Sequence, residues 1–205
     1  MNKKVLVVAT SNQGKIREIK ELLKDLPIEV KTLKDFPPIS PPEEKGETFF
    51  ENALEKAKYY AKHTGEVCLA DDSGLVVDAL GGEPGVYSSR YAGPDADDEK
   101  NNQKLLEKMK NVPFEERDAR FVCVIVVCAP DGKFIKSEGV WEGKIAFEPR
   151  GSHGFGYDPL FLVKEYNFEK TAAELEPKEK NRLSHRAKAL KAIKELIPKF
   201  LEINE

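Results

Sequence analysis

The chain from Lys4 to Ala9 is almost unbroken hydrophobe, and then the rhythm changes: Ile16, Ile19, Leu22, Leu23 and Leu26 recur at the spacing of one helix face. A buried strand followed by an amphipathic helix is the start of a βα unit. Alternation over residues 28–33 predicts a second strand. Residues 36–42, Phe-Pro-Pro-Ile-Ser-Pro-Pro, can be neither helix nor central strand, because proline lacks the backbone donor both require. Thr48 with Glu51 three residues on fits a capping box. The helix it opens runs to about His63, with Phe49, Ala53, Ala57, Tyr60 and Ala61 inward, and Gly65 closes it.

Residues 67–70 predict a short buried strand that stops at Asp71, with an extended run resuming over 75–77. A glycine-rich loop at 81–85 leads into Tyr87. A polar helix is expected over 95–109, acidic in its first turn and basic at its end, as the helix dipole favours. Residues 119–127 are the most strand-like of the chain, Asp131-Gly132 marks a hairpin turn, and 134–145 supply the return strands. A glycine-rich segment at 151–159 precedes a strand at 160–163, and Thr171 with Glu174 forms a second capping box. The last helix is expected over 177–201, burying Leu183, Ala187, Leu190, Ile193, Ile197 and Leu201. The pattern implies an α/β protein with a mixed β-sheet flanked by helices. It reads as one domain, 1–205, with a second lobe around 115–150 where the hairpin block interrupts the βα order.

Composition narrows the function classes. Of 205 residues, 40% are hydrophobic and 34% charged, with a net charge of −3, which is enough apolar material for a real core. The slight acidity argues against non-specific binding to nucleic acid, which needs a basic surface. No run approaches about 18 consecutive apolar residues, so no membrane span is expected. The N-terminus enters a strand with no secretory core ahead of it, and a cytoplasmic setting is expected. Cys68, Cys123 and Cys128 lie in apolar runs without metal-site spacing, and read as core thiols of a reducing compartment.

Several segments carry candidate chemistry. Thr10, Ser11, Asn12, Gln13, Gly14 and Lys15 lie between the first strand and the first helix, where unpaired amides and the positive end of the helix dipole suit a phosphate chain. A polar βα turn is the plainer alternative. The segment is not a Walker A loop: the first glycine is missing and Ile16 stands where Ser or Thr would hold magnesium. Asp71-Asp72-Ser73-Gly74 places two carboxylates at a strand end, which is expensive unless they are solvated, hydrogen-bonded or on a metal. Strand alternation turns one toward a cleft and the other toward the structure. Asp-Ser-Gly is also common turn chemistry. Glu43-Glu44 precedes a helix N-terminus, where acidic residues are favourable in any case. One carboxylate from each acidic pair would nonetheless satisfy magnesium, which prefers few carboxylates, several waters and phosphate oxygens. Phe155, Gly156, Tyr157 and Asp158 put an aromatic face and a carboxylate in one loop, able to stack on a base and accept from it or its ribose, or simply to plug the core. Ser184-His185-Arg186 sits in the last helix, where successive residues are rotated about 100° apart, and Lys180 lies on another part of the same surface.

Taken in order, T-x-N-x-x-K after the first strand, D-D-S-G-L, G-x-P-G-V-Y-S-x-R-Y from Gly82, F-G-Y-D-P and S-H-R form a specific set. The chain resembles the inosine triphosphate pyrophosphatase family over residues 5–196. The resemblance implies a magnesium-dependent homodimer of two lobes with a central substrate cleft, cleaving non-standard purine nucleoside triphosphates between the α- and β-phosphates. It implies that Thr10, Ser11, Asn12, Gln13, Gly14 and Lys15 cradle the triphosphate with Ser73. Asp72 matches the catalytic and metal-binding position and Glu43 the other metal position. Phe155, Gly156, Tyr157, Asp158, Lys180, His185 and Arg186 match substrate contacts. Arg186 is donor-only, and suits the 6-oxo acceptor of inosine and xanthosine over the 6-amino donor of adenosine.

Overall fold

The structure, a computed structural model, describes residues 3–203; the two residues at each end of the single-domain expectation lie outside that range. In chain order the elements are β1 (Lys4–Val8), α1 (Gln13–Leu23), β2 (Ile28–Thr32), α2 (Phe49–Thr64) and β3 (Val67–Val77). They continue with α3 (Asp98–Met109), β4 (Asp118–Cys128), β5 (Phe134–Ile145), β6 (Phe161–Val163), α4 (Pro177–Leu183) and α5 (His185–Phe200). The six strands form a mixed sheet in the order β2-β1-β3-β4-β5-β6. β1 pairs in parallel with both β2 and β3, and β5 pairs antiparallel with β6.

The chain divides into two units. One comprises 1–72, 124–138 and 189–205, the other 73–123 and 139–188. Residues 115–150 are therefore shared between them. In the first unit, Leu6, Val7 and Val8 of β1 are fully buried, and Ile16, Ile19 and Leu23 of α1 and Ala53, Ala57 and Ala61 of α2 join the same core. Both helices start on side-chain caps. Asn12 Oδ1 accepts from Lys15 N at 3.1 Å and Thr48 Oγ1 from Glu51 N at 3.1 Å, each a device that contributes about 1 kcal/mol. α2 ends on Gly65 in the left-handed conformation (φ 72°). In the second unit, Leu105 and Met109 of α3 pack with Phe121, Trp141, Leu160 and Phe161. Arg117, 1% exposed, donates to Met109 O at 2.6 Å, Val112 O at 2.8 Å and Ala146 O at 3.1 Å, tying the end of α3 to the end of β5.

Two elements differ from expectation, and both carry candidate residues. β3 does not stop at Asp71 but runs on through Asp72, Ser73 and Gly74 to Val77. The acidic pair therefore lies inside a strand, not in a turn. The last helix is broken. Ser184 is extended (φ −65°, ψ 159°), closing α4, and its Oγ accepts from Ala187 N at 3.1 Å to open α5. Cys68, Cys123 and Cys128 are buried and free. Among the described residues no helix is long and apolar enough to cross a membrane.

Candidate active site

In the first unit, parallel pairing with β3 brings the end of β1 beside the acidic pair: Ala9 N donates to Leu69 O at 2.8 Å, two residues before Asp71. Thr10 Oγ1 accepts from Asn12 N at 3.2 Å, so the loop is drawn back on itself before α1 begins. With the Lys15 amide taken by the Asn12 cap, the amides of Gln13 and Gly14 are those an anion at this helix end would meet. Lys15 Nζ donates to both carboxylate oxygens of Asp71, at 3.0 and 3.3 Å. Asp71 is 8% exposed, and its backbone carbonyl accepts from Lys56 Nζ at 3.0 Å.

Strand alternation turns Asp72 the other way. Asn52 Nδ2, on the inner face of α2, donates to Asp72 Oδ2 at 3.1 Å. Burial pushes the Asp72 carboxyl up to about 6, and the charge of Glu44 adds to that shift; the Asn52 bond and the Lys56 charge oppose it. Burial alone would depress the Lys56 ammonium, but Asp71 and Glu44 more than offset it, and its pKa lies above the usual lysine value. Lys56 pairs with Glu44 at 2.7 Å. Glu44 and Lys56 line a cavity of about 620 Å³ together with Thr10, Ser11 and Gln13.

Glu43 is not part of this group. Along residues 41–47 burial alternates: Pro42, Glu44 and Gly46 are half-buried while Pro41, Glu43, Lys45 and Glu47 are exposed. The two-residue period turns Glu43 outward, where it pairs with Lys45 at 2.9 Å with its side chain 79% exposed. Its neighbour Glu44 is the carboxylate whose charge bears on Asp72.

In the second unit, Ser73, Phe155, Gly156, Tyr157, Asp158, Lys180, His185 and Arg186 line one cavity of about 180 Å³. Ser73 follows Asp72 directly in β3. The break at Ser184 explains how Lys180, His185 and Arg186 converge. An unbroken helix would spread them around its surface, whereas α4 and α5 each deliver their residues separately. Phe155 is 57% exposed, with Lys180 Nζ 4.4 Å and Arg186 Cζ 5.7 Å from its ring centroid. The His185 ring stacks on Phe121 at 4.8 Å and 15°. Asp158, expected as an acceptor for base or ribose, is 4% exposed, and its Oδ2 pairs with Lys180 and accepts from Phe155 N at 3.0 Å. Here it braces the loop. Tyr157 is a core residue, 6% exposed, whose hydroxyl donates to Ser88 O at 2.6 Å, and burial raises its pKa.

The run from Gly82 contributes Ser88 and Ser89 to the same lining. Ser88 Oγ accepts from Leu75 N at 2.9 Å, and Asn101 Nδ2 donates to Ser89 O at 3.0 Å. Sequence reasoning missed Asn52, Lys56 and Asn101. Asn52 and Lys56 lie four residues apart and share one side of α2, but polar residues bordering an apolar stripe are the ordinary pattern of an amphipathic helix, so their spacing gave no signal.

Residues 6–196 match the Ham1 family. The chain belongs to the Ham1 family. A dITP/XTP pyrophosphatase of Geobacter sulfurreducens is 54% identical over 190 residues, 93% of this chain and 94% of the relative. Another from Bacillus cereus is 49% identical over 201 residues, 97% of each chain. Among solved structures, a HAM1 protein from Coxiella burnetii superposes with a TM-score of 0.90 at 45% identity, covering 96% of this chain and 99% of that one. These names agree with the resemblance drawn from the ordered motifs, and Ham1 members share the mixed α/β architecture seen here.

Proposed function

We propose that this chain hydrolyses non-standard purine nucleoside triphosphates, those of inosine, deoxyinosine and xanthosine, to the monophosphate and pyrophosphate. The observation that carries the reading is Asp72: a half-buried carboxylate poised near 6, beside Lys56 and one residue before a pocket walled by an aromatic ring and cationic side chains. A general base works best when its pKa lies near the operating pH, so without metal Asp72 is suited to deprotonate the attacking water. As a metal ligand, its pKa lowered by the cation, it would chiefly orient that water at the α-phosphorus. Lys15 and Lys56 neutralise charge that grows on the departing pyrophosphate, and the first-turn amides of α1 hold its oxygens. Arg186 and Lys180 present donors to a base stacked on Phe155, which favours a 6-oxopurine.

Magnesium fits these residues. Asp72 and Glu44 offer one carboxylate each, and among the described residues no cluster of three or more His, Cys, Asp and Glu stands ready for a metal. That donor set suits an ion completed by water and substrate phosphate. Glu44 takes the role that the resemblance alone would give to Glu43. When bound, the ion supplies charge neutralisation along the polyphosphate. A homodimer and a cytoplasmic setting belong to the same reading, on the strength of the resemblance; light scattering on the purified chain checks the first.

A nucleotide panel assayed with and without magnesium tests the proposal. Inosine and xanthosine triphosphates should give monophosphate and intact pyrophosphate, with adenosine triphosphate turned over far more slowly. Diphosphate and orthophosphate as products would overturn it.

A further inference from the structure

The segment that presents Phe155 has little stiffness of its own. Gly151, Gly154 and Gly156 all sit at positive φ (92°, 78° and 60°), so the unfolded segment samples many conformations that must be given up. Gly156, next to the exposed ring, is held from α3 on both sides of its residue. Its N–H donates to Asp98 Oδ2 at 2.9 Å, and its carbonyl accepts from Asn102 Nδ2 at 3.0 Å; Asp98 also lines the cavity beside Phe155, whereas Asn102 lies outside that lining. Asp98 and Asn102 are four residues apart, hence stacked on one face of the helix. The helix itself is fixed: Leu105 and Met109 are fully buried, and Arg117 binds the carbonyl of Met109. Asn102 incurs a cost in making its bond, since its Oδ1 is buried with no hydrogen-bond partner among the described residues. Such an orphan is tolerated where the opposite end of the amide is needed.

We propose that Asp98 and Asn102 are positioning residues, a two-point grip through which α3 sets the Phe155 ring in the orientation that accepts a base. The proposal rests on the pyrophosphatase reading. If the grip fails, the loop spends less time in the competent arrangement, and apparent affinity falls in proportion to that fraction. The loss should appear in KM for the nucleotide and not in kcat, because water and phosphates are handled by residues of α1, α2 and β3. It should also be invisible to a ligand that has no base.

The experiment compares wild type, Asp98→Ala, Asp98→Asn and Asn102→Ala, reading KM and kcat for inosine triphosphate and the inhibition constant of inorganic triphosphate. Asp98→Ala should raise KM by about five- to thirty-fold with kcat within about twofold, less than a buried charged hydrogen bond would cost because this one is exposed to solvent. Asp98→Asn keeps an acceptor oxygen and should recover to within about threefold of wild type, while Asn102→Ala should follow Asp98→Ala with a smaller rise. The inhibition constant of inorganic triphosphate should not change in any of them. An unshifted KM in both alanine variants overturns the grip. So does a triphosphate inhibition constant that rises with KM, which would mark general loosening of the fold. A wild-type chain that releases no pyrophosphate overturns the pyrophosphatase reading, and the grip with it.

Discussion

The Asp72 carboxyl is pushed up to about 6 from its ordinary 3.8, by burial first and by the charge of Glu44 second. Between those two values the folded chain holds a proton that the unfolded chain has released. The contribution of this residue to stability therefore falls as pH rises from about 4 to 6, and stays low above that window. The full shift corresponds to about 3 kcal/mol, and partial exposure of the side chain reduces the expected effect to about 1–2 kcal/mol. Asp72→Asn removes the charge and keeps an oxygen able to accept from Asn52. It should stabilise the metal-free protein by that amount at pH 8, with the gain fading by pH 4, while kcat falls by about 10²–10⁴. Urea denaturation at the two pH values and a pyrophosphate-release assay check both halves; a variant less stable than wild type at pH 8 would show that the carboxylate is not under strain. That Asp71 and Asp72 face opposite ways was legible from strand alternation. What Asp71 holds was not, since its partner Lys15 is 56 positions away in the chain. Nor could adjacent glutamates in a proline-rich segment announce which of them turns inward.

At the level of elements, most strands and helices follow from periodicity and caps, and the two exceptions have physical causes. Asp-Asp-Ser-Gly has poor strand propensity, and reading its local preference ends β3 too early. The ladder continues because neighbouring strands satisfy the backbone and Lys15, Asn52 and Lys56 satisfy the carboxylates and the Asp71 carbonyl. The break at Ser184 is silent in the sequence because the apolar period of α4 and α5 runs on nearly in phase, from Leu183 to Ala187 and Leu190. Only the serine hydroxyl, accepting from Ala187 N, reveals a second helix start. Ser184→Ala deletes that cap and should destabilise the chain by about 1 kcal/mol. It also frees the first turn of α5, which carries His185 and Arg186, so KM for inosine triphosphate should rise by more than kcat falls. Thermal unfolding and steady-state kinetics separate the two effects. Loss of stability with an unchanged KM would mean that core contacts alone hold these residues in place.

For the whole molecule, the chain passes between its two units four times, at 72/73, 123/124, 138/139 and 188/189. Three of these passages fall inside β3, β4 and β5, where no change of composition marks them, so the division could not be read from hydrophobic pattern. The consequence is a partition of labour along the sequence. On the proposed reading, the residues that would meet phosphate, Lys15 and Lys56 with the start of α1, belong to the first unit, and those that would meet the base, Phe155, Lys180 and Arg186, belong to the second. Substitutions should sort accordingly. On that reading Lys15→Ala should weaken every triphosphate by a similar factor whatever its base, and it should also lower stability, because the buried Asp71 carboxylate loses its ion pair with Lys15. Arg186→Ala should discriminate. The guanidinium offers only donors, so on the proposed reading it would meet the 6-oxo group of inosine favourably and the 6-amino group of adenosine unfavourably. Removing it should lower kcat/KM for inosine triphosphate steeply while that for adenosine triphosphate falls less or rises. A charged hydrogen bond contributes about 1.5–3 kcal/mol, so the preference should shrink by about one to two orders of magnitude. Competition assays with both nucleotides in one reaction measure that ratio directly. If both lost the same factor, Arg186 would be serving phosphate or the α5 turn, and the choice of base would pass to His185, Lys180 and the backbone around Phe155.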